Sequence, residues 1–223
     1  QIAHRLKQRG WRMKVADLFQ FPTISELAPR LAPSIALPSR SPGFGPVPLS
    51  PVQHWFFEQH SGQLHHFNIS MLLECREAVE ESALRTALAG LYRHHDTLRM
   101  VFEGVAPSVN QSIVDPGGAI PLAIEGAFSA ESARRHQAEF QLDKGPLVAA
   151  VLFRSSEKDL LMITLHHLIA DAVTCRILLD DLGVCYEQAR SGQSINLPPI
   201  HFTFRDWSNH LAQHAQSKTS ERE

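Results

Sequence analysis

Apolar positions along the chain follow two rhythms. From Leu160 to Leu165 they run almost unbroken and stop at two adjacent histidines, as in a buried strand. Four residues after the second histidine, Asp171 opens a segment in which Val173, Ile177, Leu178 and Leu182 recur at helical spacing. A strand, a short loop and a helix are predicted there. Phe67, Ile69, Met71 and Leu73 alternate as in a half-buried strand, and Leu84, Leu88 and Leu91 space a helix over Glu80–His95. Asp96 breaks that helix before a strand at Leu98–Phe102. Further strands are predicted at Gln111–Val114 and Leu147–Phe153, the second after a Gly145-Pro146 turn and before a polar turn at Ser155–Asp159. Ser129 caps a helix reaching about Phe140, and an amphipathic helix over Thr203–Gln216 carries Trp207 and Leu211. Ser50 and Pro51 start one more helix, with Val52, Trp55 and Phe56 spaced as one apolar face.

The N-terminal residues 1–32 read differently. Short helices are predicted at Gln1–Arg9, Val15–Phe19 and Ile24–Leu31, with Gly10 ending the first and Thr23 and Glu26 forming a capping box at the last. Three such helices bury too little surface to stand alone. Residues 33–48 hold five prolines, two glycines and three serines among sixteen, a semi-rigid linker composition. The rest of the chain, 49–223, is one domain-sized block.

Composition narrows the function classes. The 223 residues are 43% hydrophobic and 20% charged with a net charge of −2, as in an ordinary soluble globular protein. No basic surplus points to nucleic acid, and no apolar run is long enough to span a membrane. The cysteines, Cys75, Cys175 and Cys185, are odd in number and widely spaced, which fits the reduced thiols of a cytoplasmic protein rather than a disulfide framework.

The candidate chemistry lies where the apolar strand ends. A neutral imidazole near pH ~6.5 can take a proton and return it, and side chains alternate along a strand, so His166 turns inward and His167 toward a cleft. His167 is then the candidate acid/base, His166 a packing or orienting residue, and Asp171 a helix cap. The residues alone leave a second reading open, in which the pair is merely core and loop, since His65-His66 and His94-His95 are also paired. No metal is expected, because Asp171 alone does not complete a ligand set.

The stretch "HHLIADAVTCRILLDDL" (166–182) resembles the His-His-x-x-x-Asp signature of the condensation-domain superfamily of nonribosomal peptide synthetases, and within it the epimerization domains. Ala172 stands where that family usually has glycine, and Cys175 where it has tryptophan. "PLSPVQHWFFEQ" with "HHFNISMLLE" resembles the epimerization opening motif, "YRHHDTLRMVFE" the second motif, and "FQLDKGPLVAAVLF" a later one. "LKQRGWRMKVADLFQFPTISELAPRL" resembles the helices that follow the modified serine of a peptidyl carrier domain; a helical extension native to one domain is the alternative.

The resemblance implies an α/β fold, a chloramphenicol-acetyltransferase-like mixed sheet flanked by helices, with a short all-α carrier remnant over 1–32, a linker over 33–48 and the N-terminal half of an epimerization domain over 49–223. It implies L-to-D epimerization at the α-carbon of a carrier-bound aminoacyl or peptidyl thioester, with His167 as acid/base and Arg99 holding Asp171. The thioester rides on a 4'-phosphopantetheine arm supplied by a carrier domain, whose attachment serine is expected upstream of Gln1. Implied partners are that carrier, the second half of the domain with a glutamate for the opposite face, and neighbouring synthetase modules. The fragment by itself is expected to have very little epimerase activity. A peptide-bond-forming condensation domain and a non-catalytic carrier-docking module are the alternatives.

Overall fold

The computed structural model describes residues 2, 3, 6, 9–33, 43–60, 62, 64–115, 117–138 and 140–216. The chain divides into two compact units, Gln1–Ser39 and Arg40–Glu223.

In the first unit a two-residue strand β1 (Trp11–Arg12) pairs antiparallel with β2 (Ala32–Pro33), a ribbon the helical reading of this region lacks. Between them lie α1 (Asp17–Gln20) and α2 (Ile24–Leu27), the second tightening into a 3₁₀ turn over Ala28–Arg30. The expected helix over Ile24–Leu31 therefore closes early, at Pro29, which has no N–H to continue the ladder. The capping box is present: the Thr23 hydroxyl accepts from the Glu26 amide, and the Glu26 carboxylate accepts from the Thr23 amide. The helix expected at 1–9 lies largely outside the described residues. No residue of α1 or α2 is buried, and Phe19 and Ile24 are more than four-fifths exposed (83% and 87%).

The second unit carries the domain. Its first strand, β3 (Gly45–Val47), falls inside the expected linker and corrects it: these residues pair with β6 (Asn110–Ile113), which pairs in turn with β5 (Met100–Glu103). Pro46 is accommodated because β3 lies at the edge of that sheet, where a missing donor costs no ladder bond. Of the remaining linker positions, 34–42 lie outside the described residues.

The main sheet is four-stranded in the order β4 (Asn68–Glu74), β9 (Leu160–His166), β8 (Val148–Phe153), β7 (Leu122–Glu125). All pairs are antiparallel except β7 with β8, so the sheet is mixed, as the resemblance implies. Strand β7 is absent from the sequence-based expectations; it forms by pairing parallel to β8, a partner distant along the chain, with Leu122 opposite Ala150. Alternation sorts the side chains into two layers. Val148, Ala150, Leu152, Leu161, Ile163 and Leu165 join α4 (Glu81–His94) and α6 (Ala172–Arg190) in the large core. Val151, Phe153 and Met162 face the other way, toward Ala133 of α5 (Ala130–Gln137). That helix ends before the expected Phe140, whose ring is needed in the core. The last helix, α7 (Phe204–Ala215), starts at its Thr203 cap as expected. No helix among the described residues is long and apolar enough to cross a membrane, and the three cysteines are free.

Helix α3 (Pro51–Gln59) corrects the expected apolar face. Gln53, Phe56 and Phe57 are buried, whereas Val52 and Trp55 are 67% and 57% exposed. Positions 53, 56 and 57 form an i, i+3, i+4 set. A polar residue anchors this face because its amide has buried partners to satisfy, as the site makes plain.

Candidate active site

Strand β9 delivers both histidines to one turn, and two neighbouring strands fix the backbone there. The His166 amide donates to Leu147 O at 2.9 Å and the His167 amide to Phe67 O at 2.7 Å. Beyond this point the sheet pairing ends and the chain turns through Leu168–Ile169 into α6.

His166 is fully buried, and both ring nitrogens are occupied. Nε2 lies 2.8 Å from Leu64 O, and Nδ1 accepts from the Leu168 amide at 3.1 Å. One nitrogen must donate and the other accept, which defines the neutral Nε2–H tautomer. Burial pushes its pKa down to about 4. This ring holds the turn and has no lone pair left for a substrate.

The pKa shift has a consequence for stability. His166 is neutral in the fold while an unfolded histidine titrates near pH ~6.5, so between these values the unfolded chain binds more protons. Its contribution is complete above pH ~6.5 and is lost as pH falls toward about 4, up to about 3 kcal/mol. Urea midpoints should fall over this window in the native protein and fall less in His166→Gln.

His167 is exposed, and among the described residues its ring makes no side-chain hydrogen bond. The ring sits 5.3 Å from that of Phe67 at an interplanar angle of 33°. Phe67 in turn meets Phe56 at 5.2 Å and His60 at 5.7 Å, and Trp55 lies edge-on to His60 at 6.3 Å. An imidazole with free nitrogens thus stands beside an aromatic wall. Nothing in the sequence distinguishes His60 or Phe67, as members of that wall, from ordinary core residues.

Asp171 caps α6. Its Oδ1 accepts from the Thr174 amide at 2.7 Å and from the Thr174 hydroxyl at 2.8 Å. These bonds, the amide first, hold its carboxyl below the usual carboxylate range. Ala172 takes the first helical position, and no non-glycine residue among those described has a positive φ, so alanine costs no backbone strain there. Cys175 is buried in the main core, and burial raises its thiol pKa.

Arg99 corrects the expected pairing with Asp171. It is fully buried, and its guanidinium donates to Val114 O and, at 3.5 Å, to Gly43 O. The buried carboxyl beside it is Asp96, whose pKa desolvation raises and Arg99 opposes. Asp171 Oδ1 accepts instead from Thr174. Arg99 therefore secures the 3₁₀ turn after α4 and the loops around it, not the histidine turn.

The residue that ties the turn to the rest of the domain is Gln53. Its amide donates to Leu168 O at 3.0 Å, while its carbonyl accepts from the Ser50 amide at 2.9 Å and hydroxyl at 3.1 Å. The Pro-x-Gln core of the opening motif is the available signal, but a motif assigns no partner. Gln53→Ala is expected to lower stability by about 1–3 kcal/mol, since it strands buried polar groups. Val52→Ala, one residue away and exposed, should stay within about 0.5 kcal/mol in the same urea titration.

A cavity of about 410 Å³ opens elsewhere, lined by Leu73, Cys75, Leu161, Leu179, Tyr186 and Arg190 among others. Leu161 is six residues back along β9 from His167, roughly 20 Å at strand rise. It is not where a reacting carbon would meet that ring.

An exposed histidine thus follows a buried one at the end of a central strand, just ahead of a capped helix, in a mixed α/β domain. The condensation domain family matches residues 45–223. This chain belongs to the condensation-domain family of nonribosomal peptide synthetases. It is 37% identical to one of the plipastatin synthase proteins of Bacillus subtilis (strain 168), over all of this chain and 9% of that one. It is 33% identical to tyrocidine synthase 2 of Brevibacillus parabrevis over 97% of this chain and 6% of that one. Among solved structures, the epimerization domain from the third module of tyrocidine synthetase B superposes with a TM-score of 0.77 at 29% identity, covering 83% of this chain and 44% of that one. The X-domain from teicoplanin biosynthesis follows at a TM-score of 0.67 and 27% identity, over 80% of this chain and 40% of that one. The chain thus spans less than half of these structures and under a tenth of these synthases.

Proposed function

We propose that this chain supplies the acid/base lobe of an epimerization domain, with His167 moving the α-proton of a carrier-borne aminoacyl or peptidyl thioester. The observation that carries the reading is the contrast within the histidine pair: one ring is sealed by two hydrogen bonds, and the next is exposed with its nitrogens free. The likeness to the tyrocidine synthetase epimerization domain supports this choice of reaction over other condensation-family chemistry.

The chemistry follows from the thioester. Its carbonyl acidifies the adjacent C–H, because the electron pair left by the proton delocalises onto oxygen as an enolate. The His167 imidazole accepts that proton through a free ring nitrogen, with the Phe67 ring beside it. Delivery of a proton to the opposite face inverts the centre, which calls for a second acid beyond this chain's described residues. The thioester and its phosphopantetheine arm are substrate, brought by a carrier domain. Residues 1–32 are proposed as the last helices of such a carrier, and 33–48 as its connection, less the strand at Gly45–Val47.

The full-length synthetase, given one loaded carrier in deuterated water, should yield D-configured product with deuterium at the α-carbon and no second substrate. An amide product that forms only with a second loaded carrier would establish the condensation reading instead. Undiminished function in His167→Ala would establish a docking module.

A further inference from the structure

We propose that His94, His95 and Asp181 form a binding site for a divalent transition-metal ion of the zinc type, bridging α4 and α6 away from the histidine turn. The three residues each offer one ligand atom, and all of these lie within 4.8 Å of one another. His95 Nε2 is already 2.8 Å from Asp181 Oδ2, and the His94 and His95 rings stand 4.9 Å apart, nearly perpendicular at 81°.

Local backbone explains why neighbouring histidines converge. Within a helix, consecutive side chains fan about 100° apart. Helix α4 ends at His94, and His95 is its extended C-cap at φ −94°, ψ 106°. The break lets both imidazoles reach toward Asp181 on the helix packed alongside. Asp181 lies ten residues along α6 from Asp171, roughly 15 Å, so this cluster is separate from the proposed active site.

The donor set selects the ion. Two imidazoles and one carboxylate suit zinc and its neighbours, whereas calcium and magnesium want all-oxygen shells. Zinc bonds of about 2.0–2.2 Å place ligand atoms about 3–4 Å apart. The His95–Asp181 pair, at 2.8 Å, needs to open by only a few tenths of an ångström to reach that separation, and a side-chain rotation of His94 closes the third edge. Burial and the neighbouring imidazole lower the His94 pKa, and the Asp181 carboxylate opposes them. The His95 and Asp181 side chains are 16% and 21% exposed, shielded yet open to an entering ion. Metal would displace the hydrogen bond between His95 Nε2 and Asp181 Oδ2, and remaining positions would be filled by water.

The other histidine pairs lack this arrangement. His65 accepts from the Leu142 amide, His66 bonds Gln137 O, and His166 has both nitrogens occupied. Among the described residues, only the 94–95 pair gathers a carboxylate at ligand distance.

The test uses the untagged full chain, stripped with chelator and titrated with Zn²⁺ and Co²⁺. One equivalent of Zn²⁺ should bind and raise the thermal midpoint by several degrees, because the ion clamps two core helices. Co²⁺ should give visible d–d bands that Zn²⁺ abolishes. His94→Gln and Asp181→Asn should each weaken binding at least about tenfold and remove the thermal shift, and His60→Gln should change neither. Wild-type protein with no Co²⁺ bands, or His94→Gln and Asp181→Asn proteins binding as tightly as wild type, would overturn the site. The wild-type spectrum decides the matter even if a variant fails to fold.

Discussion

His167→Ala is expected to slow formation of D-product by about 10²–10⁴-fold in the full-length synthetase while leaving the thermal midpoint nearly unchanged. The two halves of that expectation have separate causes. A positioned acid/base contributes this much when it moves the proton itself. The ring is exposed, and among the described residues it makes no side-chain hydrogen bond, so truncation removes little packing. Product chirality and deuterium wash-in measure the first half, and calorimetry the second. His166→Ala should show the reverse order, a large loss of stability first, because it unseals Leu64 O and the Leu168 amide inside the core. Retained turnover in His167→Ala would remove this imidazole from the mechanism.

The second large effect falls on stability. Arg99→Ala should destabilise the fold by about 3–5 kcal/mol, the usual result of removing one member of a buried charged group. Its guanidinium is fully buried, satisfies Val114 O and Gly43 O, and offsets the desolvated carboxyl of Asp96. Arg99 and Asp171 have separate partners, so the losses in Arg99→Ala and Asp171→Asn should add in a double-mutant cycle. A coupling energy above about 1 kcal/mol, read from urea midpoints, would restore the direct pair that the family resemblance implies.

Much of the site is legible without any coordinates. The apolar run of β9, the histidines at its end and the Asp171 cap all follow from local pattern, because strand burial and helix capping are decided by neighbours a few residues away. The inward and outward turn of His166 and His167 follows from the same alternation. Where the sequence misleads, long-range partners are responsible. Val52 and Trp55 look like core by composition, yet α3 turns on Gln53 because Leu168, 115 residues away, offers its carbonyl. Gly45–Val47 reads as linker by its proline and glycine, and becomes a strand because β6 has an open edge.

The chain by itself determined the family, most of the domain's helices and strands and the position of the candidate base, all properties written in short-range periodicity and motif. Only the tertiary structure decided who partners whom: Arg99 with Val114 and Gly43, Asp171 with Thr174, and His94 and His95 with Asp181. Such pairings depend on which buried donors and acceptors end up adjacent once the sheet and helices pack, and no spacing along the chain encodes that.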